Sequence, residues 1–134
     1  MKATGGCLCR AVKFTAEVGD EVHACHCNMC RAWNGGPAIV AIAERMELEG
    51  DVTRYDSSSW AERGFCARCG SNLFYRLKPT DAYYVAMGAF DDQSRFKLAD
   101  EIYIDEKPPA YDFAGDRPRL TGAEFLASLQ QSGS

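Results

Sequence analysis

Seven cysteines fall in three tight groups: Cys7-Leu8-Cys9, Cys25-His26-Cys27-Asn28-Met29-Cys30 and Cys66-Ala67-Arg68-Cys69. No other feature limits the fold so strongly, because whatever engages these thiols must gather distant parts of the chain. A disulfide framework would leave one thiol unpaired, and the short spacings are those of metal knuckles. The first residues, Met1-Lys2-Ala3-Thr4-Gly5-Gly6, lack the apolar core of a signal peptide, and the longest mainly apolar run, Gly35 to Ala43, is too short for a bilayer span. A soluble cytoplasmic chain without a membrane partner is expected, where thiols stay reduced and metal binding is their main use.

Cys66-x-x-Cys69 followed by Gly70 has the spacing of a zinc knuckle, with the glycine free to take the left-handed conformation that turns the chain away. It supplies two of the four ligands of a structural zinc. Cys7 and Cys9, two apart on an expected strand, share a face and make the complementary pair. The middle group offers Cys25, Cys27 and Cys30 to a second zinc, three ligands where a closed site has four. His26 lies between two ligands and points to the opposite side of an extended stretch, while His23 shares their face but stands about 13 Å from Cys27. An open position and a site closed by one of these histidines both remain compatible with the spacing.

The rest of the chain reads as one mainly β domain spanning residues 1–134, with short strands separated by turns. The patterning predicts a strand through Cys7 to Phe14, an extended stretch from Val22 to Cys27, and a strand over Ala38 to Ala43 buried on both faces. Further strands are predicted at Asn72–Leu77, at 83–87 and at 101–104, with a turn at Lys78-Pro79-Thr80-Asp81. Thr121-Gly122-Ala123-Glu124 is a capping box opening a short C-terminal helix with Phe125, Leu126 and Leu129 on one face. Trp33 and Trp60 are expected in the core. The net charge of −4, with 15 basic residues scattered among 19 acidic ones, argues against a nucleic-acid partner.

Several motifs together resemble the glutathione-dependent formaldehyde-activating enzyme family, whose domain is shared with centromere protein V. They are Gly6-Cys7-x-Cys9 with Val12 and Phe14, Cys25-His26-Cys27-x-x-Cys30-Arg31 with Gly35, Tyr55 and Ser57-Ser58, Arg63-x-Phe65-Cys66-x-x-Cys69-Gly70-Ser71-x-Leu73, and Gly88-x-Phe90-Asp91. The likeness runs from about residue 5 to 118. It implies an Mss4-like fold of antiparallel sheets with two zinc ions per chain, one structural on Cys7, Cys9, Cys66 and Cys69, the other at the substrate on Cys25, Cys27 and Cys30. It also implies a carbon-sulfur lyase whose reaction, run in reverse, joins formaldehyde to glutathione as S-hydroxymethylglutathione. The chain departs from the family at Ala99-Asp100-Glu101, where many members carry a histidine, and at Tyr111, where a tryptophan is common.

Arg31 and Arg63 are candidate anchors for the carboxylates of a glutathione-like thiol, since guanidinium meets a carboxylate bidentately; ion pairing with one of the acids is the competing use. His26 and Asn28 flank the thiols and are candidates for touching substrate or for orienting the sulfurs. The alternative to an enzyme is a zinc module with both sites structural that binds a protein partner. A homo-oligomer is compatible with either reading.

Overall fold

The computed structural model describes residues 1–132. It divides into two compact units, each assembled from two stretches of chain: residues 1–20 with 40–96, and 21–39 with 97 onward.

The first unit is a sheet with every neighbour antiparallel. It contains β1 (Lys2–Gly6), β2 (Lys13–Val18), β4 (Ala38–Glu49) from Val40 onward, β5 (Val52–Asp56), β6 (Ala61–Cys66), β7 (Asn72–Leu77) and β8 (Ala82–Ala86). Pairing runs β1-β2-β4-β8-β7-β6-β5. The β7–β8 turn is where Pro and Asp predict it, with Asp81 left-handed at φ 59° and its N–H bonded to the Leu77 carbonyl at 2.8 Å. Ala41, Val85, Phe74 and Gly64 stand opposite one another on successive strands and are all buried. Phe74 takes its place because Gly64 has no side chain: a Cβ there would lie 2.2 Å from the ring. Phe14, Phe90 and Phe96 extend the core through edge-to-face contacts of 5.3 and 5.1 Å between centroids.

Three expectations are corrected here. Ala38 to Ala43 is not buried on both faces: Ala41 and Ala43 are inside while Ile42 between them is 43 % exposed, the alternation of an antiparallel strand with one covered face. Cys7 and Cys9 do not lie on a strand. β1 ends at Gly6 and the chain loops, with Arg10 left-handed at φ 65° and its N–H on the Cys7 carbonyl, before β2 begins. Trp60 is 53 % exposed, and Trp33 is only partly buried.

The second unit contains β3 (Glu21–Cys25), α1 (Asn28–Asn34), β9 (Lys97–Ile102), β10 (Arg119–Leu120) and α2 (Gly122–Ser132). Here β9 pairs with β3 and with β10 in parallel, not antiparallel as the family likeness implies for the sheets. The reason is connectivity: the chain returns to β3 only after a long excursion, so no hairpin sets the direction. β3 stops at Cys25, and Cys27 is the N-cap of α1, so the extended stretch ends two residues earlier than predicted. At α2 the capping box forms, with Glu124 N–H on Thr121 Oγ1 at 3.1 Å and Thr121 N–H on Glu124 Oε1 at 2.9 Å. Only Phe125 of the predicted apolar face is tucked in; Leu126 and Leu129 are half exposed. No helix among the described residues is long and apolar enough to cross a membrane.

Candidate functional site

In the first unit the loop after β1 and the knuckle after β6 bring Cys7, Cys9, Cys66 and Cys69 together, with their sulfurs all within 4.8 Å of one another. Cys7 to Cys9 is 3.6 Å and Cys9 to Cys66 is 3.8 Å. A tetrahedral zinc with arms of about 2.3 Å sets its sulfurs about 3.8 Å apart, so the donor set and its spacing fit that ion. Backbone N–H groups point at the sulfurs: Val12 at Cys7 (3.3 Å), and Arg68 and Cys69 at Cys66 (3.3 and 3.4 Å). Such donors favour the thiolate form that a metal requires. Ser71 Oγ lies 3.1 Å from Cys69, and this hydrogen bond, the largest influence, brings the Cys69 thiol down to about 5. Gly70 is left-handed at φ 77°, as the knuckle requires.

In the second unit Cys25 at the end of β3, Cys27 at the cap of α1 and Cys30 in its first turn converge, again within 4.8 Å. Among the described residues no histidine or carboxylate joins this group. The Cys30 N–H caps onto Cys27 Sγ at 3.3 Å, a thiol doing at a helix start what Ser or Asp usually does. Hydrogen bonds from Cys25, foremost, and Cys30 hold the Cys27 thiol far below its ordinary value, and Cys25 as the sharing partner is pushed up in turn.

Both histidines are engaged elsewhere. His23 Nδ1 is 2.9 Å from Asp100. His26 is fully buried, with Nε2 2.9 Å from Glu101 Oε1 and Nδ1 2.9 Å from the Tyr111 hydroxyl. Glu101, 1 % exposed, also takes Arg117 Nη1 at 2.8 Å and Arg119 Nε at 2.9 Å on its other oxygen. Burial by itself would raise the Glu101 carboxyl; the hydrogen bonds of Arg117, His26 and Arg119 outweigh it and keep the group below the usual carboxylate range. An ionised carboxylate only accepts, so His26 Nε2 carries the hydrogen and donates. With both ring nitrogens used, His26 orients the thiol-bearing turn and has no nitrogen left for a ligand.

Of the other candidates, Arg31 Nε donates to the His26 carbonyl at 3.0 Å and its Nη2 to Asn28 Oδ1, while the Asn28 N–H is 2.9 Å from Glu106 Oε1. Both residues brace the turn between Cys27 and Cys30. Arg63 lies in the first unit, 5 % exposed, with its guanidinium 5.0 Å from the centre of the Tyr75 ring. Sequence reasoning missed Glu101 and its two arginines. Their signal was an inward-facing acid, Glu101, in the strand Leu98-Ala99-Asp100-Glu101-Ile102 and an Arg-x-Arg pair downstream, which becomes meaningful only when the parallel pairing brings β10 against β9.

The family model for the glutathione-dependent formaldehyde-activating enzyme matches residues 2–106. The chain is 30% identical, over 93% of its length and 95% of the relative's, to an uncharacterized lyase of Schizosaccharomyces pombe. A crystal structure of a Rhodobacter sphaeroides protein is similar in fold, with a TM-score of 0.56 and 25% identity over 66% of this chain and 87% of that one. With a match over most of its length and two cysteine clusters suited to metal ions, the chain belongs to the glutathione-dependent formaldehyde-activating enzyme family.

Proposed function

We propose that this chain is a zinc enzyme of carbon-sulfur lyase type that takes a small thiol such as glutathione and joins it to, or releases it from, an aldehyde such as formaldehyde. The observation that carries this reading is the group of three converging thiols with neither histidine joining it. A zinc held by Cys25, Cys27 and Cys30 would keep an incoming thiol as thiolate at neutral pH. A second zinc on Cys7, Cys9, Cys66 and Cys69 would be structural. A reducing cytoplasm, where glutathione is abundant and the thiols stay free, suits both roles.

The chain's own part is positioning. The substrate thiol gives its proton to water on becoming thiolate, its sulfur bonds to the carbonyl carbon, the C=O π pair moves to oxygen, and that oxygen takes a proton back from water, so no proton is gained or lost; the lyase direction reverses each move. Little acid-base chemistry is demanded, so holding the thiol and the carbonyl in register accounts for most of the rate. His26, clamped by Glu101 and Tyr111, fixes the turn between Cys25 and Cys27, and Arg31 fixes the turn up to Cys30 through the His26 carbonyl. Arg31 is the nearer candidate for a substrate carboxylate, since it borders the cluster in sequence.

Metal analysis of the wild type, Cys27→Ser and Cys66→Ser tests the division of labour. Two equivalents per chain are expected in the wild type. Cys27→Ser should lose one and keep its fold, while Cys66→Ser should lose its cooperative unfolding transition. Equal unfolding of both variants would refute the assignment, and a cobalt-loaded wild type whose spectrum ignores glutathione would favour a closed module that binds a protein partner.

A further inference from the structure

Tyr103 stands at the point where β9 ends. Its neighbour Ile102 pairs with Cys25, and the Ile102 carbonyl accepts the His26 N–H at 3.1 Å, so the chain leaves the sheet at the level of the three thiols. There it turns through a left-handed residue: Tyr103 has φ 55° and ψ 42°, a conformation that bulky side chains rarely adopt. Strain of this kind persists where surrounding structure enforces it, and it gathers at functional sites.

The surroundings do enforce it. Gly122, buried at the first position of α2, faces the Tyr103 ring; a Cβ there would lie 2.5 Å from Cε1 and 2.7 Å from Cδ1. Alanine is the better helix former, so glycine at this place keeps room for the ring at the helix's expense. Phe125 packs near the ring, with centroids 6.1 Å apart, and the Gly122 N–H is tied to Asp105 Oδ1 at 2.9 Å. The ring is thus fixed, yet its hydroxyl makes no hydrogen bond among the described residues. Cys25 and Cys27 lie within electrostatic reach of it.

We propose that Tyr103 is a substrate-touching residue of the three-thiol site, its hydroxyl donating a hydrogen bond to the sulfur of the incoming small thiol. This rests on the reading of that site as one that accepts an outside thiol. With a zinc bound, the site would hold three thiolates and a fourth sulfur would bring further negative charge, while Nε and Nη2 of Arg31 already serve the His26 carbonyl and Asn28. A neutral O–H donor accommodates that charge without competing for the metal, and hydrogen bonds to charged acceptors are the stronger ones.

The test is a glutathione titration of the cobalt-loaded full chain, followed by visible absorption, for the wild type, Tyr103→Phe and Gly122→Ala. Tyr103→Phe should retain both metal equivalents and bind glutathione about tenfold to a hundredfold more weakly. Gly122→Ala keeps the hydroxyl but displaces the ring, and weakens binding in the same direction while its helix is retained. If Tyr103 were only structural, Tyr103→Phe would lower the unfolding temperature and titrate like the wild type, which overturns the proposal. A wild type that shows no response to glutathione overturns the open-site reading itself, a failure distinct from that of Tyr103 alone.

Discussion

Glu101 is the residue on which the second unit's polar interior turns. Its carboxylate faces two arginines and a histidine while 1 % exposed, so removing its charge leaves Arg117 and Arg119 without a buried partner. Glu101→Gln should destabilise the chain by about 3 kcal/mol in urea unfolding at pH 7. The sign of its pH dependence follows from a folded-state carboxyl held below its unfolded value of 4.5. The stabilisation is present above about pH 4.5 and is lost as the pH falls through the folded value. Urea midpoints of the wild type should therefore drop in acid more steeply than those of Glu101→Gln. In the first unit Phe74, 2 % exposed over Gly64, plays the apolar counterpart, and Phe74→Ala should cost about 3–5 kcal/mol in the same assay.

Among the elements, α2 shows how far local signals reach. Its capping box forms as the sequence predicts because Thr121 and Glu124 need only each other. Thr121→Ala should lower stability by about 1 kcal/mol, read by thermal unfolding with helix content followed by circular dichroism. The face of the same helix was predicted less well: Phe125 packs on Tyr103, whereas Leu126 and Leu129 are half exposed. Periodicity shows that apolar residues align along a helix, but not how much of that stripe meets another element. β4 has the same lesson, since an unbroken apolar run from Ala38 to Ala43 became a one-sided strand once it joined β2 and β8 in an antiparallel sheet.

At the scale of the whole molecule, the four-thiol group brings together positions 57 residues apart, so a metal there would hold the first unit's loop and knuckle together. Removing metal with a chelator should lower the unfolding temperature by roughly 10 °C or more, and zinc added back should restore it. Scanning calorimetry with and without chelator checks this; an unchanged midpoint would mean that the fold stands without the ion.

The grouping of seven thiols into four and three was legible in the sequence, and so were the mainly β class, the β7–β8 turn and the α2 cap. Each depends on residues that are neighbours along the chain, or on a count of ligands that spacing alone limits. The tertiary structure decided the rest. It moved Cys7 and Cys9 off a strand and made Cys27 a helix cap without separating the sulfurs, since a knuckle needs only a tight turn. It set His26 against Glu101, 75 residues away, and aligned β9 in parallel so that Arg117 and Arg119 could reach the same carboxylate. Partners so far apart in sequence leave no periodic trace, because only the fold supplies the proximity that joins Glu101, His26 and two arginines in one buried network.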